Sequence, residues 1–168
     1  ASQGGVMTMD GKTFAPSSPH EALVEGVALV PEERRSQGLV LADTVAANLN
    51  MAAIGAQRRL LRPFRPRSST VSAKRMIDRF GIKVRSEKQN VIDLSGGNQQ
   101  KVVVGKYVVT GPKLLILDEP TVGVDVGARA EIYGLIRSLA DDGMSVLVIS
   151  SDFEEFAICD RVLVMQAG

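Results

Sequence analysis

The chain has 168 residues, of which 45% are hydrophobic, and its net charge is +1, so its composition suits a single globular domain. The balanced charge gives no global field that would favour nucleic acid, and no apolar run reaches the ~18 residues of a membrane span. The single cysteine, Cys159, excludes an internal disulfide and is typical of a reducing compartment.

The first thirty residues predict a hairpin, a short helix and one strand. Residues 4–14 alternate loosely around a turn at Asp10-Gly11, which favours a β-hairpin. Ser18-Pro19-His20-Glu21 has the pattern of a capping box with proline at the first helical position, so a short helix should follow and stop before Gly26. Val27-Ala28-Leu29-Val30 then predicts a strand.

Residues 44–110 have a mostly helical pattern. Ala73, Met76, Ile77 and Phe80 recur at the spacing of one helical face. Before them, the two prolines of Arg58–Arg67 predict a loop. This loop is rich in arginine and contains no acidic residue. It is interpreted first as a solvated loop and alternatively as a contact with a partner or anionic lipid. Few aromatic side chains accompany the cations, so nucleic acid is not the expected partner.

From Leu114 onward the pattern changes to alternating strands and helices. The apolar runs Leu114–Leu117, Val146–Ile149 and Val162–Met165 are expected to be parallel strands covered on both faces. A helical pattern between the first two runs is marked by Ile132, Leu135, Ile136 and Leu139. This alternation predicts βαβ units and an α/β fold.

Two motifs carry the functional signal. In Leu94–Lys101, two adjacent glycines open directly into a helix, where free N–H groups attract an anion and the hydroxyl of Ser95 adds a donor. Many helices begin this way, so this motif alone is weak. In Leu114–Pro120, a buried strand ends in Asp118 and Glu119, the position where open α/β sheets bind ligands.

Together, in this order, the two motifs resemble the signature and Walker B motifs of ATP-binding cassette (ABC) ATPases. The form Asn98-Gln99-Gln100-Lys101 resembles in particular the ribose, galactose and xylose importer branch, and the match runs from Gly4 to Gly168. The resemblance implies a helical subdomain over about 42–110, with the end of the β-subdomain over about 1–41 and the Walker B core over about 111–168.

One expected motif is missing from the sequence. No string fits the P-loop G-x-x-x-x-G-K-[ST], since Gly11-Lys12-Thr13 lacks the upstream glycine. We therefore expect a partial ABC-type P-loop NTPase domain that lacks the Walker A strand, loop and helix and belongs to a longer protein. The isolated chain is predicted to be inactive in ATP hydrolysis, because the loop that would cradle the phosphates is absent.

The resemblance also implies roles for single residues. Asp118 would hold Mg²⁺ through water, and Glu119 would be the catalytic residue that orients or deprotonates the attacking water. Asp125 would belong to the D-loop, which crosses to the opposite subunit. The residues implied to contact the phosphate of a nucleotide held by the opposite cassette are Ser95, Gly96, Gly97 and Gln99.

Two positions depart from the family pattern. Glu32 stands where the Q-loop carries glutamine, and Ser151 stands where the family has its switch histidine. A neutral serine cannot carry a proton as imidazole does. This combination resembles the second, C-terminal cassette of tandem sugar-importer ATPases, in which the second site is commonly degenerate.

The predicted function is that of an ATP-binding and hydrolysing subunit that energises sugar import. ATP and Mg²⁺ would act only in the assembled transporter, on the cytoplasmic face of the inner membrane. The expected partners are a second ABC cassette, the transmembrane permease, which Val30–Leu41 should face, and the upstream part of the same chain. The alternatives are a soluble ABC ATPase of translation or DNA repair and an interaction module without a nucleotide role.

Overall fold

The fold is α/β and is built from two small sheets and five α-helices over the residues described. A computed structural model describes residues 5–57 and 66–166. A two-stranded sheet lies near the start of the chain, and a three-stranded sheet forms the centre. The proposed limits of the subdomains, near residues 41 and 110, stay a prediction.

The predicted hairpin is confirmed. Strand β1 (Thr8–Met9) pairs antiparallel with β2 (Lys12–Thr13). Asp10 and Gly11 both have left-handed backbones, with φ of 51° and 74°, as a two-residue hairpin turn requires. Asp10 also forms an ion pair with Lys113, which ties the hairpin to the residue just before the strand that begins at Leu114.

The predicted short helix is confirmed as α1 (Pro19–Val24). The side chain of Ser18 caps it by accepting a hydrogen bond from the N–H of Glu21 at 3.2 Å. In return, the Glu21 carboxylate accepts from the N–H of Ser17 at 2.8 Å, one residue earlier than the capping box predicts. The helix start was therefore predicted correctly.

The central sheet has three parallel strands in the order β3 (Val27–Val30), β4 (Leu114–Asp118) and β5 (Ser145–Ile149). Helix α5 (Val126–Asp141) connects β4 to β5, which confirms the predicted βαβ unit. Because parallel strands run in the same direction, all three carboxyl ends lie at one edge of the sheet.

Three helices lie between β3 and β4 in the chain: α2 (Val45–Gln57), α3 (Pro66–Arg79) and α4 (Gly96–Val108). Pro66 and Arg67, predicted to lie in a loop, form the first turn of α3, where proline is tolerated because that N–H has no helical partner. The rest of the predicted loop, Arg58–Arg65, lies outside the described residues. No helix in the described parts of the chain is both long and apolar enough to cross a bilayer.

Only one face of the central sheet is well covered by the described residues. Val30, Leu115 and Leu117 are fully buried and belong to the same core as side chains of α4 and α5. On the opposite face, Leu29 is 50% exposed and Leu147 is 45% exposed. The expectation that the strands are covered on both faces is therefore wrong for this structure.

The predicted strand Val162–Met165 is also wrong. Residues 161–166 have no regular structure, and Met165 is 94% exposed. A strand requires a neighbour for its backbone N–H and C=O groups, and in the described residues β5 pairs only with β4. An apolar, β-branched run is therefore not sufficient to form a strand here.

The open face predicts that the 168-residue chain associates with itself, because exposed apolar surface beside an unpaired strand edge favours association. Leu147→Lys places a charge on that face and should shift the chain towards monomer. Ser145→Lys, on the same strand and face, replaces an exposed polar residue and serves as the matched control. Light scattering at protein concentrations from roughly µM to mM measures the association state of both variants. A wild-type chain that stays monomeric throughout would contradict this prediction.

Candidate functional site

The carboxyl edge of the central sheet gathers four of the predicted site residues. Glu32 follows β3, Asp118 and Glu119 lie at the end of β4, and Ser151 follows β5. Asp118 and Glu119 are half-buried, whereas Glu32 and Ser151 are exposed. The strand order thus brings together residues that are far apart in the sequence, at the edge where ligands bind in open α/β sheets.

Glu119 is held in a constrained geometry. Its backbone is left-handed, with φ of 44°, which is unusual for a residue other than glycine and costs on the order of 1–3 kcal/mol. Its N–H donates to the Ile149 carbonyl at 2.9 Å, and its Oε1 accepts from the backbone N–H of Ser151 at 2.9 Å. The Glu119 carboxylate is therefore fixed towards the residues that follow β5.

The contact between Glu119 and Ser151 involves the serine backbone and not its hydroxyl group. Sequence reasoning considered only the side chain at this position and missed the backbone contact. Any residue with an N–H could make the same hydrogen bond, so the bond does not depend on serine.

The carboxylates at the end of β4 fit the donor set that Mg²⁺ takes in nucleotide sites. Magnesium there is bound by one or two carboxylates, with water and phosphate oxygens completing the shell. Asp118 and Glu119 provide two neighbouring carboxylates, and the described residues contain no group of three or more side chains that could enclose a metal alone. Their predicted roles remain predictions.

The amino end of α4 has the form of an anion-binding helix terminus. Ser95 occupies the N-cap position, but its side chain caps no backbone N–H. Its Oγ instead accepts a hydrogen bond from the amide of Asn98 at 3.0 Å. The first-turn N–H groups thus receive no cap from Ser95 and are left to bind water or a ligand.

Packing alone requires glycine at position 97, whether or not a ligand binds there. A Cβ placed at Gly97 would lie 2.6 Å from the Cβ of Ala128, in the first turn of α5. A Cβ at Gly96 would lie 3.0 Å from the carbonyl oxygen of Gly123. The two glycines therefore allow α4 to approach both α5 and the loop that precedes it, a reason that sequence reasoning did not supply.

Gln99 does not occupy the position expected of a phosphate ligand. Its side chain is buried, and Nε2 donates to the carbonyl of Val91 at 3.1 Å. This position argues against the predicted phosphate contact. It indicates a structural role, in which Gln99 attaches α4 to the short 3₁₀ turn Val91–Asp93.

Asp125 forms the N-cap of α5, with its carboxylate accepting from the N–H of Ala128 at 3.0 Å. It also lines a cleft of about 240 Å³ between the amino ends of α4 and α5. The cleft is lined by Lys83, Ser95, Gly97, Asn98, Asp125, Gly127, Ala128 and Glu131. Ser95 and Asp125 therefore lie on one surface, although their predicted roles remain untested.

A buried ammonium group anchors α4 to α5 below this cleft. Lys101 is buried, and its Nζ lies 2.7 Å from Glu131 Oε2 and 3.1 Å from the carbonyl of Gly81. Glu131 also pairs with Lys83 at 3.0 Å. Hydrogen bonds from Lys101 and then Lys83, together with their positive charges, lower the pKa of Glu131 to about 2.

Sequence reasoning missed Arg34. Its guanidinium donates to the carbonyl oxygens of Val122 at 2.7 Å and Gly123 at 2.8 Å. In the sequence it stands beside Arg35 in a charged run, and no local pattern distinguishes one arginine from the other.

The fold is that of an ATP-binding cassette. A dimeric structure of the ATP-binding cassette MJ0796 in a post-hydrolysis state, bound to ADP and Pi, matches with a TM-score of 0.75 at 19% identity, over 93% of this chain and 66% of that chain. The ADP conformation of the cassette MJ1267 matches with a TM-score of 0.72 at 20% identity, over 92% of this chain and 62% of that chain. Because these identities are low, the likeness establishes the fold alone.

A family model described as ABC transporter matches residues 1–122, and the chain belongs to the ABC transporter family. The galactofuranose transporter ATP-binding protein YtfR of Escherichia coli (strain K12) is 44% identical over 163 residues, covering 96% of this chain and 32% of that protein. The ribose import ATP-binding protein RbsA of Pseudomonas putida is 45% identical over 167 residues, covering 98% of this chain and 32% of that protein. The chain thus spans about a third of the length of these curated relatives.

Gly97→Ala should lower the free energy of unfolding by about 1–3 kcal/mol, since the new methyl group would overlap Ala128. Gly134→Ala is the matched control. A Cβ there meets no atom within 4 Å, and alanine in a helix interior stabilises by up to about 1 kcal/mol. Urea denaturation followed by circular dichroism measures both variants. Equal effects at the two glycines would refute the packing argument.

Glu131→Gln should lower the melting temperature near neutral pH and have progressively less effect in acid. A carboxylate whose pKa falls on folding, here from 4.5 to about 2, stabilises the folded state above its unfolded pKa, and this contribution is lost as the pH falls from about 4.5 towards 2. Glu25→Gln, an exposed carboxylate without an ion pair among the described residues, is the control. Melting curves from pH 7 to pH 3 test this. If the melting temperature of Glu131→Gln differs from that of the wild type by the same amount at every pH from 7 to 3, the ion pairs of Glu131 do not stabilise the fold as predicted.

Proposed function

We propose that this chain is part of the ATP-hydrolysing subunit of an ABC transporter that imports a monosaccharide. The observation that supports it most directly is the pairing of an uncapped helix start at Ser95–Gly97 with carboxylates at the end of β4. The relatives are import ATP-binding proteins for ribose and arabinose and a galactofuranose transporter ATP-binding protein. Their names favour sugar import over a soluble ATPase of translation or DNA repair.

The proposal includes partners and a location. A second cassette would face the amino ends of α4 and α5, and a membrane permease would face the segment from Val30 to Leu41. The subunit would act at the cytoplasmic face of the inner membrane, attached through that permease. The chain's own site would be completed by the upstream part of the parent protein, which would carry the P-loop.

Two groups of residues would act on ATP in different ways. The N–H groups at the start of α4, with the hydroxyl of Ser95, would stabilise charge on the terminal phosphate of ATP bound by the opposite cassette. Asp118 would hold Mg²⁺ through water, and Glu119 would position the attacking water for this chain's own site. When bound, the metal supplies charge neutralisation at the phosphate oxygens.

The chain's own site is proposed to be impaired. Glu32 and Ser151 replace a glutamine and a histidine of the family pattern, and Glu119 receives a backbone N–H in place of a switch side chain. The main contribution of this half would then be the signature that it lends to the other cassette. The isolated chain is proposed to hydrolyse no ATP, because its sequence contains no P-loop.

Acidic substitutions in the signature should abolish ATP hydrolysis by the assembled transporter, because a carboxylate would repel the phosphate and losing one preorganised donor costs about 10²–10³ in rate. Gly96→Asp tests this, but its Cβ would also press on Gly123. Ser95→Asp is the cleaner variant, since Ser95 is exposed and aspartate is a favoured N-cap. ATPase activity of the reconstituted complex is the measurement.

Glu119→Gln should cost much less, below about tenfold in the same assay, because the site it serves is already impaired. This variant changes one carboxylate oxygen to an amide nitrogen and keeps the size of the side chain, so it is a conservative comparison. If Glu119→Gln is as damaging as Ser95→Asp, this half hydrolyses ATP in its own right and the donor role is refuted. If neither variant changes the rate, the proposed function itself fails.

A further inference from the structure

Arg34 connects three segments that the family pattern treats separately. It begins a five-residue π-helical turn, Arg34–Gly38, just after Glu32. Its guanidinium reaches across 88 positions of the sequence to donate to the carbonyl of Val122, and it also bonds the carbonyl of Gly123. These carbonyls lie in the loop between Glu119 and Asp125, whose ends carry a predicted catalytic carboxylate and the cap of α5.

Two glycines make room for this guanidinium. A Cβ at Gly96 would lie 3.0 Å from Nη2 of Arg34, and a Cβ at Gly123 would lie 3.4 Å from both terminal nitrogens. Gly123 also has φ of 66°, a left-handed backbone that suits glycine. The guanidinium therefore lies between the start of α4 and the loop, in contact distance of both, and fills space that side chains would otherwise take.

In this position the Arg34 side chain loses part of its hydration. Its Nε is buried and has no hydrogen-bond partner among the described residues. Burial, followed by the charge of Arg35, lowers the pKa of Arg34 below its usual value. The two carbonyl acceptors offset part of this lost hydration of the half-buried guanidinium, since a charge removed from water requires hydrogen-bond partners. Such a group is not a solvated surface arginine.

The segment that carries Arg34 is fixed at two further points. Lys106 of α4 is buried and donates to the carbonyl of Gly38 at 2.6 Å. Asn48 of α2 both accepts from the N–H of Val40 at 2.8 Å and donates to its carbonyl at 3.0 Å. Between these points Arg35, Ser36 and Gln37 are exposed. The segment thus presents one side to solvent and is bound to the helices and the loop on the other.

The geometry points to Arg34 as a positioning residue that fixes the loop 122–124 against the start of α4. Arg34 also joins the loop and the helix start to the exposed segment 35–37. The effect expected on the rate of ATP hydrolysis rests on the proposed transporter function. Arg34 would touch neither nucleotide nor metal. It would act by holding the start of α4 and the loop 122–124, the surface offered to the opposite cassette, in one arrangement. A permease that displaced segment 35–37 would therefore also displace this surface, through the guanidinium.

The first test is local and independent of ATPase activity. Arg34→Ala in the full-length protein should accelerate amide hydrogen exchange of Val122 and Val124, whose N–H groups donate within the loop at 3.2 Å and 3.0 Å, by roughly tenfold or more. Exchange in the middle of α5 should stay unchanged. Arg35→Ala is the matched control, because it removes the same charge from an exposed neighbour. Unchanged exchange at 122–124 in Arg34→Ala would overturn the inference.

The second test is kinetic and uses the full-length protein assembled with its permease. Arg34→Ala should lower kcat for ATP hydrolysis by about tenfold, within the range known for small misplacements of active groups, and change KM for ATP by less than about threefold. Arg34→Lys keeps a donor for one carbonyl and should recover part of kcat. A purely structural role would lower the melting temperature and leave kcat per folded molecule equal to that of the wild type.

The outcomes separate this inference from the proposed function. A wild-type complex that hydrolyses ATP and an Arg34→Ala complex with the same kcat would overturn the positioning role alone. A wild-type complex without ATPase activity would overturn the proposed function and the kinetic consequence together, while the exchange experiment would still decide whether Arg34 holds the loop. Faster exchange together with a lower kcat that Arg34→Lys partly restores would support the inference.

Discussion

The close approach of α4 and α5 is the constraint on which the functional surface depends. It is possible only because Gly97 has no side chain opposite Ala128, and it brings the helix start at Ser95 beside the cap at Asp125. Beside this contact, an ion pair between the buried Lys101 and the exposed Glu131 joins the same two helices by a bond that requires both charges to be present. Because the two helices are in direct contact at Gly97 and Ala128, a displacement of one helix start should be passed to the other.

Much of the fold was predictable because local sequence and tertiary structure agree. The hairpin at Asp10-Gly11, the helix start at Ser18 and the βαβ unit around α5 all follow patterns whose physical causes are local. The failures came from non-local causes. Val162–Met165 has the composition of a strand but no neighbour to pair with in the described residues, and Leu29 and Leu147 are apolar without being covered.

The candidate site likewise contains residues that local motifs place correctly and residues whose contacts are non-local. Asp118, Glu119 and the start of α4 could be placed from sequence because strand ends and helix starts are defined by short motifs. The direction of the Gln99 side chain, whose amide turns inward to Val91, could not be predicted because the motif gives the residue type and not its orientation. Arg34 was missed because both of its acceptors are backbone carbonyls some ninety residues away, which leave no trace in side-chain identity.

The left-handed backbone of Glu119 sets backbone strain against a side-chain hydrogen bond at one position. Glycine would adopt that φ without strain, but it would remove the carboxylate that accepts from the N–H of Ser151. Backbone preference therefore does not account for a glutamate at this position, and what its carboxylate contributes to the fold is an acceptor for the N–H of Ser151. A library that randomises residue 119 and selects for thermostability would therefore set the relief of backbone strain in glycine against the loss of this hydrogen bond.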